Sequence, residues 1–218
     1  MMRRWLWLVA AFLVGAVVLL PLRAVLALGN GGLAARTVTG SLGSGQLAAA
    51  AWRGVALGDL DVGLAPLSLL TGTPALHFAG PALAGTATPA GVSGLSGSVD
   101  AGGQTPLPIG RIGLQDVEIA FDKRVCTQAR GMVTVAATGS LATALGGSLQ
   151  GLARCDGGAL LLPLASATAQ LLLRIGGDGS WRAVISVTSV DEATRTGLLA
   201  AGFAPTPQGL SRTLEGHL

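Results

Sequence analysis

Few residues in this sequence of 218 have both the type and the spacing that chemistry needs. Asp59 and Asp61, in GDLDVG, are carboxylates two positions apart. Paired carboxylates can share general acid and base work, but such pairs flank a cleft and usually come from different elements. On a strand, residues two apart share one face at about 7 Å, so this pair reads as a solvated strand face. Asp116, Glu118 and Asp122, in LQDVEIAFD, repeat the pattern and the reading. His77 sits in PALHFAG without an acidic or cysteine neighbour, and His217 is next to the last residue. No Ser-His-Asp or Cys-His arrangement can be assembled from them. GSLGSG, from Gly40 to Gly45, lacks the GxGxxG spacing, the lysine and the following helix of a phosphate loop, so a turn or strand edge is expected. Lys123, Arg124 and Arg130 bracket Cys126, but three cations are too few for a polybasic site and read as a solvated loop. The expectation is a protein with no catalytic residues, no cofactor and no metal, and hence no enzyme.

Cys126 and Cys155 are the only cysteines. An even number in an exported chain suggests a structural disulfide. It would enclose 28 residues, which the chain-entropy relation rates at roughly 3–4 kcal/mol. The alternative, a metal pair, lacks nearby ligands, because His77 and His217 are the only histidines.

Export is suggested by the first elements. Trp5 to Leu22 are 18 residues without a charge, about 27 Å as a helix, close to the hydrocarbon thickness of a bilayer. Arg3 and Arg4 precede the run, where positive charge stays on the cytoplasmic side, and Trp5 and Trp7 fall at headgroup level. A cleavable leader is the competing reading, with Val25-Leu26-Ala27 as a weak cleavage site. The apolar run exceeds a usual leader core, and Arg23 lies between run and site, which favours an uncut anchor. The expected organisation is a cytoplasmic N-terminus at 1–4, a transmembrane anchor at 5–22, a linker at 23–36 and an exported β-rich domain at 37–218.

The formal charge is +3, and Arg3, Arg4 and Arg23 account for all of it. The remainder is neutral, so nothing argues for nucleic acid. Charged residues are 11% of the chain, against about 25% in a typical soluble domain. Such a chain buries much of its surface or presents apolar surface to something.

The exported part alternates. Leu60, Val62 and Leu64 point one way and Asp59, Asp61 and Gly63 the other, until Pro66 ends the strand. In LQDVEIAFD, Val117, Ile119 and Phe121 share one face. GMVTVAA (131–137) and GALLLPLA (158–165) read as strands. AQLLLRI, GGDG and SWRAVISV form a hairpin signal, with Ala169, Leu171, Leu173 and Ile175 answered by Trp181, Ala183, Ile185 and Val187. DEATRTGLLAAG is the helix candidate, opened by Asp191 and closed by Gly202. GLSRTLEGHL closes the chain as a strand. Residues 79–108 alternate only weakly and are expected as irregular strand. About ten strands and one helix are expected: a mostly β fold, with one N-terminal transmembrane helix followed by an antiparallel, curved β-rich domain with one short helix near the C-terminus.

Read in order, the anchor, TVTGSLGSGQ (37–46), GDLDVGLAPLSLLTG (58–72), Cys126-x3-Arg130-Gly131, LQGLARCDGGALLLPLAS (149–166), GDGSWR (177–182) and GLSRTLEGHL (209–218) resemble the type II secretion system protein N family. Gly43 and Val62 stand where that family often carries tryptophan. The resemblance implies a bitopic inner-membrane protein of Gram-negative bacteria with a periplasmic β-rich domain. It implies a non-enzymatic accessory role, with inner-membrane and periplasmic secretion subunits as partners, and a Cys126–Cys155 disulfide fits the periplasm. An alternative expectation is a periplasmic lipid-binding or lipid-transfer groove of AsmA-like type, with membrane lipid as the partner. An anchored hydrolase has no supporting residues.

Overall fold

The computed structural model describes residues 15–17, 19–23, 32–70, 72–101, 109–138, 142, 145–188 and 191–217. Most of the expected anchor (5–14 and 18), much of the linker (24–31) and residues 102–108 lie outside them. Among the described residues no helix is long and apolar enough to cross a membrane. The chain divides into two compact units, residues 1–89 and 90–218.

Unit 1 contains β1 (Leu33–Ala34), β2 (Thr37–Gly40), β3 (Gly45–Trp52), β4 (Val55–Leu64), the short helix α1 (Pro66–Leu70), β5 (Leu76–Ala79) and β6 (Leu83–Thr88). Each strand from β3 to β6 pairs with its predecessor in antiparallel sense, and β1 and β2 both pair with β3. Leu60 and Val62 are buried and Asp59 and Asp61 exposed, as the alternation requires. Pro66 does end β4, and it does so by opening α1, since a proline costs nothing at a first helical position.

Unit 1 includes residues expected as the end of the anchor and as linker. Leu22, expected as the anchor's last residue, is 4% exposed and packs with Leu47, Ala50, Leu60 and Val62. Pro21 bridges to Ser41, and Leu42 N–H donates to Leu20 C=O at 3.0 Å. The end of the apolar run is thus part of unit 1's core. β1, likewise, occupies positions expected as linker.

Unit 2 contains β7 (Gly91–Asp100), β8 (Ile109–Asp122), β9 (Val125–Ala137), β10 (Ser148–Leu152), β11 (Arg154–Asp156), β12 (Ala159–Ala165), β13 (Ala169–Ile175), β14 (Ser180–Val187), the helix α2 (Glu192–Ala200), β15 (Ala204–Thr206) and β16 (Gly209–His217). The order is a meander, β7-β8-β9-β10-β12-β13-β14-β16-β15, with β11 also on β12. The hairpin register is the one the alternation predicts: Ala169 faces Val187, Leu171 Ile185, Leu173 Ala183 and Ile175 Trp181. The described residues thus form sixteen strands rather than about ten. Most of the extra strands, such as β1, β2, β11 and β15, are two to four residues long, too short for alternation to show.

One face of this meander makes the core. Val117 of β8, Leu149 of β10, Leu164 of β12, Ile185 of β14 and Leu210 of β16 belong to one buried cluster. The cluster runs from strand to strand across the sheet, each inward side chain packing on those of nearby strands. Leu198 of α2 and Phe203 complete the cluster. The cap of α2 explains their placement. Asp191 accepts a hydrogen bond from Thr194 N–H at 2.8 Å and starts the helix. At the other end Gly202, at φ +86°, donates to Leu199 C=O, and Phe203 N–H donates to Leu198 C=O. This paired closure folds Phe203 back onto Leu198.

Candidate interaction surfaces

Asp59 and Asp116, two of the carboxylates singled out by sequence, belong to irregularities of the strands. Of the several irregularities in the ladders, two are bulges at a non-glycine residue of positive φ, Ala49 in β3 and Asp116 in β8. A bulge leaves one N–H without its ladder partner. Asp59 Oδ1 accepts from Ala49 N–H at 2.8 Å, and Ser96 Oγ accepts from Asp116 N–H at 3.0 Å. Asp59 is thus a bulge cap on a neighbouring strand. The Asp116 bulge places Gln115 and Asp116 consecutively on the exposed side, so Leu114 and Val117 both turn to the core. Gly131 lies opposite at φ +102°, and a Cβ there would come 2.4 Å from Asp116 C=O. That position therefore requires glycine.

The remaining candidates do not converge. Glu118 forms an ion pair with Arg130 on β9, and Asp122 ends β8. Lys123 and Arg124 form the tight β8–β9 turn, both at positive φ. Arg130 is six residues further along β9, about 20 Å at strand rise, so the three cations form no cluster. His77 Nδ1 lies 2.8 Å from Thr86 Oγ1 on the adjacent strand, at an exposed site. His217 ends β16. GSLGSG is the β2–β3 turn, closed by Ser41 N–H to Ser44 C=O at 3.0 Å. No group of three or more metal-ligating side chains occurs among the described residues. The groups with displaced titration are Asp178 and Asp191. Hydrogen bonds from the Ser180 hydroxyl and backbone hold the first below the ordinary carboxylate range, and those from the Thr194 backbone and hydroxyl hold the second there.

Cys126, near the start of β9, and Cys155, in β11, are joined by a disulfide with Cα atoms 5.6 Å apart. The bridge sits in a small second core with Ala153 and Leu160, against which Ile119, Phe121 and Ile175 pack. It ties together strands that both turn nearby, where Cys126 N–H also donates to Gly158 C=O at 2.8 Å.

The faces of unit 2 differ. Inward residues such as Leu149, Leu164 and Ala183 are 0–2% exposed. Leu114, Leu173 and Trp181, packed against the same cluster, are only partly buried. Outward residues fall into rows, because the register carries each position straight across the strands. One row is Met132, Leu152, Pro163, Leu172 and Val184, on β9, β10, β12, β13 and β14. The pairs Met132–Leu152, Pro163–Leu172 and Leu172–Val184 are direct, and the Gln150–Ala165 pair fixes Leu152 opposite Pro163. Leu152 is 61%, Leu172 44% and Met132 36% exposed. To one side run Thr134, Gln150, Ala165, Gln170, Ser186 and Ser211. To the other run Arg154, Leu161, Arg174, Arg182 and Glu215. Sequence reading treated strands one at a time and missed these rows. Their signal is a leucine on the polar side of an otherwise alternating strand, as at Leu152 and Leu172.

A family model described as type II secretion system (T2SS), protein N, matches residues 31–213. No curated protein and no solved structure is similar enough to match.

Proposed function

The chain belongs to the type II secretion system protein N family, and from that premise we propose that it is a non-enzymatic accessory component of the secretion apparatus. The uncharged run that begins at Trp5 holds it in the inner membrane as a single pass, its last residues, Leu20 to Leu22, belonging to unit 1, and its β-rich units stand in the periplasm against other secretion subunits. The observation that carries this reading is the family match, which spans the strands of both units. The uncharged run behind Arg3 and Arg4 supports the anchor and its direction. The Cys126–Cys155 bridge suits an oxidising compartment. The role is structural: the anchor fixes the protein at the membrane, and outward sheet faces and open strand edges meet partners.

Deleting the gene in its native host and measuring secretion of type II substrates tests the proposal. Secretion is expected to fall. The full chain is expected to restore it, and a chain exported by a cleavable leader in place of residues 1–19, which keeps the core residue Leu22, is not. Undiminished secretion of every substrate after deletion overturns the reading.

A further inference from the structure

The row Met132, Leu152, Pro163, Leu172, Val184 is apolar at every position, although on β9, β10, β13 and β14 the outward residues flanking it are polar; on β12 they are Leu161 and Ala165. It crosses five neighbouring strands, a length of about 19 Å at 4.8 Å per strand. An α-helix of about 13 residues covers that length, and its turns repeat every 5.4 Å. One apolar side chain per turn thus keeps step with one per strand, drifting by only about 2.4 Å over the row. An extended segment fits badly, because its same-face side chains repeat every ~6.8 Å. Five part-exposed side chains offer a patch on the order of a few hundred Å². A stable dimer needs about 800 Å² per partner, so a second copy held by this row alone is too small a contact.

The flanks set the charge. On one side the row is bordered by neutral Gln150 and Gln170, on the other by Arg154, Arg174 and Arg182. Arg174 reaches over β12 to Asp156 at 2.9 Å, covering Leu161, and Arg182 pairs with Glu215 at 2.7 Å. Arg154 has no ion pair among the described residues, and its strand neighbour is the buried Leu161. An acid beside the apolar face of a bound helix finds its counter-charge there.

We propose that the outward row Met132–Leu152–Pro163–Leu172–Val184 is a docking site for an amphipathic helix of a partner protein, with acidic residues along the edge facing Arg154. The site deepens the reading of this chain as a binding component and rests on it.

The test uses the full chain in its native cells, with photo-reactive benzoylphenylalanine replacing Leu152 in one variant and Gln170 in another. Crosslinked peptides are identified by mass, and thermal melting checks that each variant is folded. Leu152 is expected to capture a peptide with apolar residues three and four apart and acids beside them, at least tenfold above Gln170. Arg154→Glu is expected to lower that capture about fivefold. Capture of acyl chains, of this chain's own peptides or of a segment with alternate-residue patterning overturns the proposal, as does capture no greater than at Gln170. A captured helix from a protein unrelated to secretion supports the site and counts against the secretion role. Loss of secretion on gene deletion, without such capture, does the reverse.

Discussion

Leu149 and Leu152 lie three residues apart on one strand, yet the first is 0% and the second 61% exposed. The same contrast holds across unit 2, between Leu171 and Leu172 on β13 and between Val133 and Met132 on β9. Both faces carry apolar side chains, and only the inward set is shielded from solvent. Composition therefore separates folding residues from binding residues poorly, whereas position across the register separates them well.

Mutations that probe the two faces sharpen the comparison. The largest effect is expected inside: Leu149→Ala destabilises by about 2–5 kcal/mol in denaturant unfolding, because a filled core cannot collapse onto the gap. Replacing Cys126 and Cys155 together by Ala costs about 3–4 kcal/mol, equal to the effect of reductant on the native chain. Gly131→Ala costs more than about 1 kcal/mol, since the position needs both positive φ and a bare backbone against the bulge. Leu152→Ala, outside, is expected to stay within about 0.5 kcal/mol. A loss at Leu152 comparable to that at Leu149 would erase the distinction between the faces.

The smallest effect is set by pH. Asp191 is held below the ordinary value of 3.8 by the Thr194 N–H and hydroxyl. A depressed folded value means that its support for α2 is complete above the unfolded value and is lost as pH falls through the folded one. Amide exchange in the first turn of α2 should therefore quicken selectively below about pH 4, an effect that Asp191→Asn removes.

Legibility in the sequence followed side-chain contrast. The β13–β14 register was readable because Leu and Ile alternate there with Gln and Arg. β3, β6 and β7 were not, because Gly, Ala, Ser and Thr occupy both faces and alternation has nothing to alternate. The bulges were hidden for another reason. Nothing local marks Asp116 as an extra residue; its N–H is satisfied by Ser96, twenty positions away. Asp59 was conspicuous as half of an acidic pair, but its use is set by Ala49 on the neighbouring strand. The family pattern was legible because it depends on the order of short motifs, which survives where single positions change. The outward row was not, because it exists only after five strands are laid in register.

The meander of unit 2 also bears on how the chain acquires its shape. From β8 to β14 each strand except β11 pairs with a strand made shortly before it, and β11 pairs with β12. A nascent segment then finds its template already laid down as soon as it emerges, whatever pore delivers it. Contacts between near neighbours in the chain demand little loop closure, so assembly can proceed from the N-terminal end as a ratchet. The Cys126–Cys155 pair falls within this sequence, 29 positions apart. It locks the strands laid down by then, before α2 and β16 arrive to complete the core.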